Sequence, residues 1–355
     1  MQKLLPLEII KSHTGLRGVA AMWVFLGHIG IVSASSLSKV FAYPAYAVYL
    51  FFILSGFVLN YVYLNNDTKP NWKSYLNARF ARILPLYYLS TALYLPIYYF
   101  HHWCRNGQEA VSNSSIIILT NVLMISGIIG GPDMTINSPA WSISVEFFCY
   151  LVTFPILTYL SFISIGKKTK LISSIIVLML STRFLAAGGP IINIKGISWD
   201  SLWLWRGIFG FSAGFALCNL YRAMKGNKIN PITFDLFNIS ALLIFFLGII
   251  NICPINRVTY AMPVMVLFTS FDKGVISKFL MNRLLLWFGD RSYSIYLLHM
   301  FVIGLISEKT ICITSPIRHA NEGVRTLIII VSVLVISDIS YRFFEIPIRK
   351  YIRSK

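Results

Sequence analysis

Apolar runs of membrane length follow one another along almost the whole chain, at residues 15–36, 43–64, 84–101, 115–130, 140–163, 171–187, 201–221, 235–252, 258–271, 284–306 and 325–344. No other feature constrains the fold as much, because a helix needs roughly 20 apolar residues to cross about 30 Å of hydrocarbon. The backbone must satisfy itself in lipid, and unbroken apolar runs do that as helices. The expectation is an all-α polytopic membrane protein. With 56% hydrophobic and 12% charged residues, the composition excludes an ordinary soluble domain, where about a quarter of residues are charged.

The segment at 115–130 is expected to be short or re-entrant, which leaves about ten transmembrane helices with both termini cytoplasmic. On that topology Lys and Arg favour the cytoplasmic segments by roughly three to one; the opposite face keeps Lys39, Arg105, Lys195, Arg257, Lys309, Arg318 and Arg325. The net charge of +18 therefore reads as topology, and no nucleic-acid partner is expected. The first apolar run has no small-residue cleavage site after it, so it is expected to be a retained anchor. Residues 1–355 read as one membrane-embedded domain with no appended soluble domain. Cys104, Cys149, Cys218, Cys253 and Cys312 show no metal-ligand spacing, so no metal site is expected.

Ionisable residues inside the apolar runs mark candidate chemistry. Arg17 and His28 are eleven residues apart in the first run, about three helical turns, so they share a face about 16 Å apart along the axis. The bland alternative is a snorkelling anchor and a packing histidine. Arg79 and Arg82 are one turn apart just before the third run and form a guanidinium fork suited to phosphate; a topology-setting or headgroup-binding pair is the alternative. After Pro139, Trp141-Ser142-x-x-x-Glu146 opens the fifth run with Ser142 and Glu146 on one face. That carboxylate either lines a wet cavity, pairs with a group such as His28 or Arg206, or forms a structural ion pair. Tyr293, Tyr296 and His299 make a polar stripe in the tenth. Asp338 and Arg342 are i,i+4 partners, and with Glu345 before Pro347 they read as mainly structural.

Arg-x10-His (Arg17, His28), FFILSGF (Phe51 to Phe57), R-x-x-R-I-x-P-x-Y (Arg79 to Tyr87), W-S-x-x-x-E (Trp141, Ser142, Glu146) and G-x-x-S-Y-x-x-Y-L-x-H (Gly289 to His299) occur in this order. Together they resemble the acyltransferase type 3 family across nearly the whole chain. The resemblance implies a multi-pass enzyme of the bacterial inner membrane, an O-acetylase of surface polysaccharide such as O-antigen. It would move an acetyl group from cytoplasmic acetyl-CoA to a hydroxyl of a lipid-linked or polymeric sugar. On this reading Arg17, Arg79 and Arg82 hold the donor phosphates, and His28 is general base or acetyl carrier. Glu146 would orient the imidazole, while Trp141, Ser142, Tyr293, Tyr296 and His299 line the substrate cavity. The rival class is a transporter or flippase for lipid-linked saccharide, since intramembrane ionisable residues also serve carriers.

Overall fold

The computed structural model describes residues 9–33, 41, 43–64, 69–106, 114–163, 166–187, 202–249, 252–306 and 321–354. Its elements are helical, with no strand among the described residues. Among the described residues five helices are long and apolar enough to cross a membrane: α2 (Pro44–Tyr63), α6 (Ala140–Ser161), α7 (Lys167–Ala187), α9 (Pro231–Ile249) and α14 (Glu322–Arg353). Between them run α1 (Lys11–Ser33), α3 (Trp72–Asn106), α4 (Ser114–Val122), α5 (Ser126–Ile129), α8 (Trp203–Met224), α10 (Val258–Thr269), α11 (Gly274–Leu280), α12 (Arg283–Asp290) and α13 (Ser292–Ile306). Lys39, Lys195, Lys309, Arg318 and Cys312 lie outside the described residues.

The 115–130 segment is two short helices broken at Met124, whose φ is 55°. Nine residues of α4 rise only about 14 Å, so neither piece crosses hydrocarbon by itself. The third apolar run, in contrast, extends further back than its hydropathy indicates. Helix α3 starts at Trp72 and continues through Pro85 and Pro96, so Arg79 and Arg82 stand on a helix that leads directly into the apolar stretch.

Lipid gives helices no hydrophobic reason to associate, so close packing of small residues must hold them together. Helices α2 and α8 do this reciprocally: a Cβ on Gly56 would lie 1.9 Å from the Phe211 carbonyl oxygen, and one on Gly214 would lie 1.8 Å from that of Ile53. Helix α1 docks through Gly15, where a Cβ would fall 1.9 Å from the Leu280 carbonyl oxygen. Its first turn is capped from across the chain, the Lys11 and Ser12 amides donating to the Asp272 carboxylate at 3.1 and 3.0 Å. This meets the unsatisfied amides of a helix start with a negative charge and fixes the level at which Arg17 enters the bundle.

Two π turns interrupt the long helices, Cys149–Thr153 in α6 and Tyr341–Glu345 in α14. Each is followed two residues later by a proline, Pro155 or Pro347. The widened turn accommodates the missing amide and ring bulk without ending the helix. One of these turns begins three residues after Glu146 and contains Tyr150, and the other ends on Glu345.

Candidate active site

A cleft enclosing about 740 Å³, its mouth included, opens among α1, α2, α3, α6 and α13. Arg17, Arg79 and Arg82 line it, with Tyr293 beside Arg82, and so do Ser142 and Tyr296. The rest of the wall is mostly apolar, with Val48, Phe51, Phe52, Leu54, Val58 and Ile83. Ser55, Glu146 and Tyr150 supply the polar patch in this wall.

Each arginine is held differently. Arg17 Nη2 donates to Ser292 Oγ at 3.1 Å, which ties α1 to the start of α13. Arg79 is buried between two aromatic faces, its guanidinium carbon 5.8 Å from the Tyr63 ring centre and 5.6 Å from that of Tyr150. Cation–π contacts of this kind orient a guanidinium without consuming its charge, and the Arg79 Nε has no hydrogen-bond partner among the described residues. Arg82, one turn on, faces the same cleft.

Glu146 does not partner His28. Its Oε1 accepts from Ser55 Oγ at 2.8 Å and from Tyr150 Oη at 2.5 Å. The expected pairing gives way because Tyr150 is four residues along the same helix, and helical neighbours at that spacing meet without any tertiary search. Short hydrogen bonds to an ionised acceptor are the strong kind, so this cluster fixes the carboxylate facing the cleft with Arg17 nearby.

His28 pairs instead with His299. His299 Nε2 lies 3.4 Å from His28 Nδ1, and the ring centres are 5.1 Å apart. Both Nδ1 atoms also face the carbonyl oxygen one turn back, Val24 at 2.8 Å for His28 and Ile295 at 3.0 Å for His299. A carbonyl only accepts, so each imidazole is assigned its proton on Nδ1. The Nε2 of His28 is then left with a lone pair and makes no hydrogen bond among the described residues.

The pair adjoins the cleft through Tyr296, whose ring centre is 6.2 Å from that of His299. Tyr296 Oη contacts Ser142 Oγ at 2.7 Å and donates to the Pro139 carbonyl at 3.1 Å. Tyr293 Oη donates to the Ile83 carbonyl at 2.8 Å, joining α13 to α3 beside Arg82. Of the residues singled out by sequence, the cleft gathers Arg17, Arg79, Arg82, Ser142, Glu146, Tyr293 and Tyr296. His28 and His299 stand just beyond its lining, and Trp141 packs away from it, 4.5 Å from the Trp203 ring centre.

Ser55, Tyr150 and Ser292 belong to the site but escaped the sequence reading. Ser55 is a polar residue within the FFILSGF run, and Tyr150 stands four residues after Glu146. Both signals were present in the sequence. Such an arrangement can bind an anionic head at the arginines, thread an elongated arm past apolar side chains, and present the arm's end near an imidazole lone pair.

The match to an acyltransferase-domain model over residues 10–342 puts the chain in the acyltransferase type 3 family. It is 23% identical over 370 residues to the peptidoglycan O-acetyltransferase OatA of Listeria monocytogenes, a match taking in 97% of this chain and 56% of that protein. It is 30% identical over 165 residues to the acyltransferase MdmB of Streptomyces mycarofaciens, covering 43% of this chain and 40% of the relative. A third relative, protein 2 in the picA locus of Rhizobium radiobacter, is 32% identical over 152 residues, 37% of this chain and 74% of that one. The chain thus spans about half the length of the first two relatives. No solved structure matches.

Proposed function

We propose that this protein takes an acetyl group from acetyl-CoA on the cytoplasmic side of a bacterial inner membrane and transfers it to a hydroxyl of a surface-polysaccharide sugar. The observation carrying this reading is the make-up of the cleft: three arginines, a mostly apolar wall, and the Ser142–Tyr296 pair, beside which His299 and His28 stand. The ten-span topology with cytoplasmic termini belongs to the same proposal, because it sets the arginine fork on the cytoplasmic side.

In the proposed reaction the donor's phosphates rest on Arg17, Arg79 and Arg82, and its pantetheine arm lies along the apolar wall. The acceptor hydroxyl gives its proton to Nε2 of His28 as its oxygen attacks the thioester carbon. The carbon–sulfur bond then breaks, and the thiolate leaves with that proton as the free thiol. An alternative order, attack by Nε2 itself to give an acetyl-imidazole, uses the same lone pair. Glu146 keeps Ser55 and Tyr150 in place along the donor path, and Ser292 holds Arg17.

A saccharide acceptor is supported by the similarity to a protein named as a peptidoglycan O-acetyltransferase; an O-antigen-like sugar is the acceptor the motif resemblance implies, and either saccharide offers the hydroxyl required. Purified protein in detergent, given acetyl-CoA labelled in the acetyl group and a saccharide acceptor, should release free CoA and label the sugar. A flippase would do neither.

A further inference from the structure

Positive charge near the cleft extends beyond Arg17 and the α3 fork that line it. Glu345, Arg349 and Arg353 follow at four-residue spacing on one face of the end of α14, and this stretch packs along α3. Arg349 is anchored, with Nη2 donating to Glu345 Oε2 at 2.5 Å, while Glu345 also accepts from Ser294 Oγ. The Arg349 Nε is buried and has no hydrogen-bond partner among the described residues. Arg353 is exposed, close enough to Arg79, Arg82 and Arg349 to feel their charges, and Arg17 in turn feels Arg82 and Arg349.

Arg79 and Arg82 on α3 and Arg349 and Arg353 on α14 therefore stand on two helices packed against each other, with Arg17 of α1 within electrostatic reach of Arg82 and Arg349. The neighbouring carboxylates are already engaged, Glu146 by Ser55 and Tyr150 and Glu345 by Arg349 and Ser294. Among the described residues no carboxylate pairs with Arg79, Arg82 or Arg353. Like charges crowded beside an apolar slab repel strongly, and a bound polyanion converts that repulsion into affinity. A diphosphate facing Arg79 and Arg82 leaves Arg353 and the unbonded Nε of Arg349, on the separate helix, to meet a phosphate elsewhere on the same nucleotide.

We propose that Arg349 and Arg353 bind the 3′-phosphate of the donor nucleotide, so that the enzyme selects a 3′-phosphorylated CoA thioester over thioesters lacking that group. This rests on the donor reading above. A phosphate on a lipid headgroup shares the chemistry, and the test separates the two sources.

The full chain in detergent is titrated at fixed ionic strength with acetyl-CoA and with acetyl-3′-dephospho-CoA. Wild type should prefer acetyl-CoA by about tenfold, the worth of one good charge-assisted contact. Arg353→Gln, at an exposed position, should weaken acetyl-CoA by about the same factor and leave the dephospho thioester unchanged; Arg353→Lys should restore part of the preference. Equal wild-type affinity for the two thioesters overturns the proposal. So does equal weakening of both by Arg353→Gln, or an Arg353→Gln defect confined to stimulation by phosphatidylglycerol vesicles, the mark of a headgroup site. Failure of wild type to bind either thioester overturns the donor reading itself, a distinguishable result.

Discussion

His299 reaches His28 across the α1–α13 contact, Nε2 to Nδ1 at 3.4 Å, while each ring's Nδ1 faces the carbonyl one turn back on its own helix. Local helix geometry thus sets both tautomers, and the lone pair without a partner among the described residues belongs to His28 Nε2. His28→Gln, which keeps a hydrogen-bonding side chain but cannot take up a proton near neutrality, should lower transfer by ~10²–10⁴-fold with acetyl-CoA affinity unchanged. Rates near wild type would make His28 a positioning residue.

His299 acts through His28 and not on the substrate. His299→Gln retains a group able to meet His28 Nδ1, so it should lower kcat much less than His28→Gln, by about tenfold, and should alter the pH profile of kcat through the changed neighbour. An equal loss in both variants, with an unshifted profile, would place His299 on the reacting atoms.

Glu146 is held by Ser55 and Tyr150. Tyr150→Phe removes one hydrogen bond to a charged acceptor at a position 2% exposed, so thermal unfolding in detergent should show a loss of about 1.5–3 kcal/mol. Combined with Glu146→Gln the effects should fall short of additive, because the two changes share one interaction. Simple additivity would mean the contact contributes nothing.

Arg79→Ala with Arg82→Ala should weaken acetyl-CoA binding and flatten its dependence on salt, since phosphate contacts are screened interactions. Correct insertion must be shown alongside, because these charges also bias topology. Unchanged affinity in a correctly inserted protein would remove the fork from the donor site.

Cysteines placed at 55 and 146, which line the cleft, should react with a polar thiol reagent in a background free of native cysteines. Cysteines at Ser144 and Val145, both fully buried, should not. Equal protection at all four would make Glu146 a dry structural group.

Gly56→Ala would drive a methyl against the Phe211 carbonyl, 1.9 Å from the new Cβ. Backbone cannot swing aside like the tip of a side chain, so stability should fall by about 1–3 kcal/mol or more. Thermal unfolding in detergent measures it, and an unchanged midpoint would show that α2 and α8 can separate freely.

Much of this protein was legible from residue order alone, because the governing rules are local. Apolar runs of membrane length specify helices, and a period of 3.6 sets Arg17 and His28, or Ser142 and Glu146, on one face whatever lies around them. Asp338 and Arg342 were expected as partners on the same ground, and they meet at 2.9 Å. Periodicity names a face but not what the face meets. That His28 finds His299, 271 residues away, that Arg79 lies between Tyr63 and Tyr150, and that Trp141 turns toward Trp203 and away from the cleft were decided by how α1, α3, α6, α8 and α13 pack. Glu146 shows the boundary between the two. Its cost in an apolar run announced a site, its neighbour Tyr150 stood within local reach, and its second partner Ser55 arrived only when α2 was laid beside α6.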